Sequence, residues 1–335
     1  MRTGSSQADD PPAVTQQAEP PADAPSAATR LVTWHGDLLV WADQLGWLRS
    51  LNDWLTAVLG PFRERHQDNL ALELMHGGRW AGHPLHPALS DLPIGLWTGA
   101  TLLDAADHGP APPRGIDAAG VLSAAGIVAA GATALTGLSD WTVSNEQDRR
   151  VGLFHGLLNT AALGLQCASL GTRMAGHRGT ARALGAVGLT LTVAAGYLGG
   201  HLVFTKGVMV SRVAWATGPR RWVRAIPEAD VPDDSPVAVE AEGRQVMLYR
   251  HRGNLYALDN ICSHAGGLLS RGTVADLTVT CPLHGSRFTL SDGCVARGPA
   301  SQPQPVLRTR IRNGWIEVRG GQPAPRRTAK ERKQP

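Results

Sequence analysis

The sequence predicts a multi-domain protein, an α-helical membrane bundle of four spans followed by an all-β domain. Residues 88–205 are mostly Ala, Gly, Leu and Val and divide into four apolar stretches. After Trp222 the texture changes to short alternating runs punctuated by Gly and Asn-Gly turns. Among those runs stand two Cys/His pairs, Cys262-Ser263-His264 and Cys281-Pro282-Leu283-His284, sixteen residues apart.

Residues 1–30 are rich in Ala, Pro, Gln, Asp and Ser without an apolar run, so they read as a disordered leader with no signal peptide. Residues 31–78 form a Trp-rich amphipathic helical region. In it Trp34, Leu38, Trp41, Leu45 and Leu48 keep helical spacing, and Leu51, Trp54, Leu55 and Val58 extend it as far as Gly60-Pro61. Helices of this kind either lie in the headgroup layer or pack on a soluble core.

The membrane domain is expected over 79–212, with spans at 88–106, 116–138, 151–172 and 181–204. Each is near the ~20 residues that cross ~30 Å of hydrocarbon. Their Gly and Ala content lets helix backbones approach closely in lipid. His83-Pro84-Leu85-His86-Pro87 is the turn before the first span, and the Gly/Pro loop 109–113 separates it from the second. An even number of spans puts both termini on one side. Arg79, Arg149, Arg150, Lys206 and Arg212 fall on that side, against Arg114, Arg173, Arg178 and Arg182 on the other. The bias favours cytoplasmic termini, hence an integral protein of the bacterial cell membrane with its β domain in the cytoplasm.

A linker, 213–220, leads to the β domain, 221–320, and a basic disordered tail, 321–335, follows. The strands are read at 237–240, 245–249, 255–258, 278–280 and 315–318. The net charge of +4 is spread out or lies in the tail, with no basic stripe interleaved with aromatics, so nucleic acid is not an expected partner. Four cysteines are too few for a disulfide framework in 335 residues. Cys167 lies in an apolar stretch and Cys294 stands alone.

The two Cys/His pairs carry the chemistry. An iron–sulfur cluster with thiolates on one iron and imidazoles on the other needs two of each, and the imidazoles raise its potential. Zinc is the alternative, since Cys2His2 sets bind it tetrahedrally. Zinc fingers, however, keep their Cys pair in one element and their His pair in another, whereas each half here offers one of each. The motifs C-S-H-A-G-G and C-P-L-H-G-S closely resemble the Rieske [2Fe–2S] family, over about residues 221–320. The resemblance implies Cys262, His264, Cys281 and His284 as cluster ligands. Members from cytochrome bc complexes carry two further, bridging Cys; those positions are Gly267 and Leu283 here. That departure points to the ferredoxin or oxygenase type and is compatible with a reducing cytoplasm. Ser286 matches a Ser that donates a hydrogen bond to the cluster in high-potential relatives, while Phe288 replaces their Tyr. Fewer donors imply a potential below the bc-complex proteins and above plant-type ferredoxins.

Gly82-His83-Pro84-Leu85-His86-Pro87, then Asp91-Leu92-Pro93-Ile94-Gly95, His155, Asn159 and Gly199-Gly200-His201-Leu202-Val203, resemble a bacterial membrane-domain family of unknown function, over about residues 79–212. On the four-span reading His83, His86, His155 and His201 share the membrane face from which the β domain emerges, together with Asp91 and Asp140. Ionisable groups at membrane depth are costly and usually functional. Two facing imidazoles there could ligate a b-type haem. The alternative is that these histidines are caps and interfacial hydrogen-bonders, with His83 and His86 stiffened by Pro84 and Pro87.

The function expected is one-electron transfer by a membrane-anchored protein, between a membrane partner (quinol or haem) and another redox protein. A ferredoxin feeding a separate oxygenase, a quinol oxidoreductase subunit and a membrane redox sensor are the alternatives. A self-contained oxygenase needs a 2-His-1-carboxylate iron site, and only about fifteen residues, none a His, follow the last strand. A quinol-reactive protein would dock His264 or His284 against the membrane domain.

Overall fold

Helical spacing governs the chain up to Phe204, and strand alternation governs it from Val223. The computed structural model describes residues 44–66, 69–107 and 116–320, which fall in one compact unit. The leader, Trp34, Leu38, Trp41, the loop 109–113 with Arg114, and the basic tail lie outside the described residues.

Helix α1 (Gly46–His66) buries Leu48 and Asn52 and leaves Trp47, Trp54, Val58 and Phe62 exposed along one stripe. It does not stop at Gly60-Pro61 as the sequence suggests. A mid-helix proline forfeits one hydrogen bond and strains the turn, costing ~3 kcal/mol. Packing against two later helices, where Arg149 donates to Thr56 Oγ1 at 3.4 Å, carries α1 through it. Helix α2 (Leu70–His76) starts on Asn69, whose Oδ1 accepts from Ala71 N at 2.8 Å, and a left-handed Gly77 turns the chain into α3 (Gly78–Ala81).

Four long helices follow: α4 (Leu85–Ala106), α5 (Ala118–Thr142), α6 (Glu146–Met174) and α7 (Arg178–Phe204). Two of their starts correct the sequence reading. His86 and Pro87 belong to the first turn of α4 rather than to a preceding turn, because a first-turn proline gives up an N–H that has no helical partner anyway. Helix α5 begins after Asp117, whose Oδ1 accepts from Gly120 N at 2.8 Å, and it continues past Asp140. Helices α5, α6 and α7 are long and apolar enough to cross a membrane. These are three of the four expected spans; α4 has the length but carries Asp91, Pro93 and Asp104.

The four helices form two antiparallel hairpins, α4–α5 and α6–α7, each packed more closely within itself than against the other. Small residues make this possible. A Cβ at Gly126 would lie 2.3 Å from the Trp97 indole nitrogen. Across the second hairpin Gln166 donates to Gly185 O at 3.0 Å and Ser169 to Ala181 O at 2.7 Å. At the end remote from the β domain the hairpins are clamped by charge: Arg173 bonds both Asp104 and Asp117, and Arg178 reaches Asp107 and Asp117, each at 2.7 Å.

The β domain is three antiparallel sheets, ordered β1-β10-β9, β2-β3-β4 and β5-β6-β7-β8. Their strands are β1 (Val223–Pro227), β2 (Val237–Ala241), β3 (Arg244–His251), β4 (Asn254–Asp259), β5 (Thr273–Ala275), β6 (Thr278–Thr280), β7 (Arg287–Thr289), β8 (Val295–Arg297), β9 (Leu307–Arg312) and β10 (Trp315–Gly320). Strand β3 is the hinge of the packing, because alternate side chains point to opposite faces. Val246 and Leu248 join one core with Ala257, Leu307, Ile316 and Val318. Met247 and Tyr249 join the other, with Leu258, Leu269, Val279, Phe288 and Leu290. The hairpins turn on left-handed pairs, Glu242-Gly243, Arg252-Gly253 and Asn313-Gly314, as the twist of two-residue hairpins requires.

Arg173 is 3% exposed and holds two carboxylates. Removing one member of a buried ion network leaves uncompensated charge, a loss of ~3–5 kcal/mol. Arg173→Met should therefore lower the thermal midpoint of the detergent-solubilised protein by several degrees, more than Arg182→Met at the half-exposed edge of the same cluster.

Candidate metal centre

The two Cys/His segments fold into near-identical turns, for a reason visible in their sequences. In the first, Cys262 N donates to Gly267 O at 2.8 Å and Gly266 N donates back to Cys262 O at 3.0 Å. In the second, Cys281 N donates to Ser286 O at 2.8 Å and Gly285 N to Cys281 O at 3.1 Å. Each turn needs a glycine four residues after its Cys, and both glycines are left-handed, φ +82 at Gly266 and +76 at Gly285, a conformation cheap only without a Cβ. The loops differ in the placement of His, two residues after the Cys in one and three in the other.

Buried polar groups hold the loops in place. Asp259 ties off β4: its Oδ1 accepts from Ile261 N at 2.8 Å and its Oδ2 from Arg244 Nε at 2.9 Å. Burial pushes the Asp259 carboxyl up against the pull of these donors. Gln304, fully buried, accepts from Ser263 N at 3.0 Å and donates to Asp259 O at 2.7 Å and Ile261 O at 2.6 Å. Ser263 Oγ donates to Gln302 O at 2.9 Å. On the second loop, Arg297 donates to Gly285 O at 2.7 Å, and Ser286 Oγ accepts from Ala300 N at 3.0 Å. The segment 297–304 therefore grips both loops. Sequence reasoning missed Gln304, Gln302 and Arg297, because nothing in a Pro-containing loop marks which polar side chain turns inward.

The turns bring the four expected residues together. Cys262 and Cys281 are buried and hydrogen-bonded thiol to thiol. That bond holds the Cys262 thiol protonated, with burial adding to the effect, and draws the Cys281 thiol down. The His264 and His284 rings stand 5.1 Å apart, nearly perpendicular. Burial and then the neighbouring His284 push His264 down to about 3; burial and then Arg63 push His284 down to about 4. Both imidazoles are thus neutral, as metal ligation requires. His284 Nδ1 is buried without a hydrogen-bond partner. The set is organised as a thiol pair and an imidazole pair. This donor set fits a binuclear cluster.

The surroundings explain the departures seen in sequence. A Cβ on Gly267 would lie 2.8 Å from Cys281 Sγ and 2.9 Å from Leu283 Cγ, so Gly267 and Leu283 are spatial neighbours. Ser286 uses a lone pair for Ala300 N, leaving its O–H to donate. Phe288, buried in the core beside Cys281, has no such group.

The first loop also meets the membrane domain. Arg212 N donates to Ser263 O at 2.9 Å, and Gln302 Nε2 donates to Gly82 O. A Cβ on Gly78 of α3 would lie 2.6 Å from Ala300 O. His264 and Ala265 line a small cavity with Val143, Ser144, Asp148 and Val208 of the membrane domain. His264 is only 9% exposed.

The membrane histidines do not act as one group. His86 and His155 face each other with ring centres 6.2 Å apart. His83 is exposed, its Nδ1 bonded to Pro84 O at 2.9 Å, and His201 lies in the last turn of α7. Asp140 instead pairs with His76, which sequence reasoning did not single out, at 3.1 Å.

The profile of the Rieske [2Fe-2S] domain matches residues 221–310, and that of a predicted membrane protein family, DUF2231, matches 82–212. The chain is 30% identical over 93 residues to the ferredoxin component of the naphthalene 1,2-dioxygenase system of Pseudomonas putida, spanning 28% of this chain and 89% of that protein. It is 31% identical to sulredoxin of Sulfurisphaera tokodaii, over 29% of this chain and 96% of that one. It is 33% identical to the cytochrome b6-f complex iron-sulfur subunit of Chlorobaculum tepidum, over 28% of this chain and 50% of that one.

The depressed histidines set an acid limit. Unfolded imidazoles take up protons near pH ~6.5, whereas the folded His284 and His264 resist to about 4 and about 3. The unfolded chain therefore binds more protons below pH ~6.5, and stability falls as pH drops towards the folded values. Denaturant titration of cluster-free protein should give a lower midpoint at pH 5 than at pH 7, a difference that His264→Gln should reduce.

Proposed function

We propose, from the premise that this chain belongs to the Rieske [2Fe–2S] family, that it is a membrane-anchored one-electron carrier whose cluster works against its own membrane domain. The observation that carries this reading is the covering of the His264 loop: Arg212 N on Ser263 O at 2.9 Å, with α5–α6 loop residues and Val208 around the imidazole. A carrier serving only soluble partners gains by exposing that edge; here it is turned towards the membrane domain, which favours a quinol or haem as the membrane partner.

When bound, the cluster accepts and gives up one electron at a time. Cys262 and Cys281 would hold one iron and His264 and His284 the other. Ser286 would donate its O–H to a cluster sulfur, and Phe288 would supply only packing. The GHPxHP segment, through Gly82 O, is the seat for the Gln302 side chain. Helix α4 completes a four-helix membrane bundle in the bacterial cell membrane, and the basic residues at the β-domain end favour a cytoplasmic cluster.

One observation supports a second reading. Leu283, beside His284, is 52% exposed, which leaves an edge for a soluble protein; the likeness to a dioxygenase ferredoxin component would make that partner a separate oxygenase.

In membrane vesicles containing the full-length protein, a short-chain quinol should reduce the cluster, read by its EPR signal. Failure of quinol together with rapid reduction by a soluble NADH-dependent reductase would favour the oxygenase-supply reading instead. The midpoint potential should fall between those of bc-complex Rieske proteins and plant-type ferredoxins. Ser286→Ala should lower it by roughly 60 mV, a tenfold change for one electron.

A further inference from the structure

We propose that the membrane domain binds a b-type haem, with His86 and His155 as its axial ligands, in the seam between the two helical hairpins. The inference deepens the preceding reading and rests on it for the identity of the cluster's membrane partner.

The two imidazoles come from opposite sides of that seam. His86, on α4, donates from Nδ1 to Thr133 O of α5 at 2.9 Å. His155, on α6, donates from Nδ1 to Ala195 O of α7 at 2.7 Å. A carbonyl can only accept, so both rings carry their proton on Nδ1 and keep the Nε2 lone pair. Tying one ring nitrogen to a carbonyl fixes the tautomer and orientation of a metal-ligating histidine. At His155 the Nε2 lone pair is confirmed by its partner, the Asn159 amide nitrogen at 3.2 Å, a weak donor that an iron would displace.

Each ring is seated against bare backbone of its own hairpin. A Cβ at Gly137 would lie 2.7 Å from the His86 ring, and one at Gly199 would lie 3.2 Å from His155. Both histidines thus belong to tightly packed hairpins and meet where packing is sparser. Their ring centres are 6.2 Å apart with planes at 90°. Two imidazoles bound to one metal from opposite sides, at ~2.0–2.1 Å per bond, have ring centres roughly 6–6.5 Å apart. The separation therefore matches two imidazoles sharing one iron. Two neutral nitrogen ligands, with no third His, Cys, Asp or Glu grouped with them among the described residues, suit an iron whose remaining positions are filled by a porphyrin.

A hydrogen-bond relay links the segment before His86 to the first Cys/His loop. His86 lies four residues after Gly82, whose carbonyl accepts from Gln302; the Gln302 carbonyl accepts from Ser263 Oγ, next to Cys262 and His264. His83 is outside this arrangement, with its Nδ1 on Pro84 O.

The test is the optical spectrum of the full-length protein purified from haem-replete cells, with haem quantified as its pyridine complex and the cluster followed separately by EPR. A Soret band that sharpens on dithionite reduction, with haem and cluster in a one-to-one ratio, is expected. His86→Ala and His155→Ala should each lose the haem completely while His83→Ala and His201→Ala keep it. His155→Met should retain the pigment with shifted bands, which decides the matter if the alanine variants fail to fold. Wild-type protein that carries its cluster but shows no Soret band overturns the proposal, as does haem retained equally by both alanine variants. Loss of the EPR signal with the Soret band intact would instead count against the cluster reading.

Discussion

The structure depends on how two short loops, separated in sequence, are kept at a fixed distance inside a small β domain. A binuclear cluster requires two thiolates and two imidazoles in register, and the thiols and rings must be desolvated without leaving the loop backbones unsatisfied. Buried backbone groups without partners cost ~1–3 kcal/mol each, so the loops need a dedicated set of hydrogen bonds. Matched turns on Gly266 and Gly285 supply those within each loop. Asp259, Gln304, Arg297 and Ser286 supply those between the loops and the segment 297–304.

That third segment has a second task. Residues that grip the cluster loops also meet the membrane domain: Ala300, whose N donates to Ser286 Oγ, lies over Gly78, and Gln302, whose carbonyl accepts from Ser263 Oγ, reaches Gly82. One stretch of irregular chain therefore couples the geometry of the metal centre to the seat of the whole domain. Positions that look unremarkable by composition, such as Gly78, are fixed by close backbone approach. The absence of a Cys at Gly267 and Leu283 fits the same economy, because hydrogen bonds rather than a bridging disulfide hold the loops together.

The membrane region follows a different logic. Its helices gain little from the hydrophobic effect against one another in lipid, so small residues and specific polar contacts decide their pairing. Trp97 over Gly126, Gln166 on Gly185 O and Ser169 on Ala181 O define two hairpins. The Arg173 and Arg178 network clamps those hairpins at one end. Across the seam between them His86 faces His155, and Trp141 donates to Arg149 O at 2.9 Å. Polar atoms are thus concentrated at the clamp, the seam and the surface that receives the β domain.

By itself the sequence determined the two textures, the two Cys/His pairs and the glycines that let each pair turn. These are local properties: helical or strand period, a left-handed residue, a ligand spacing. It did not reveal that α1 runs through Pro61, that α4 begins at Leu85, or that strands β1, β5, β7, β8 and β9 exist, since tertiary packing outweighs a breaker and strands that are short or lie at an edge carry too little pattern. Nor could it tell which of four membrane histidines meet, because residues 69 positions apart are brought together only by helix pairing. The inward turn of Gln304 and the docking of Ser263 on Arg212 were likewise decided by tertiary structure. Both satisfy backbone groups that become orphaned only once the chain has folded.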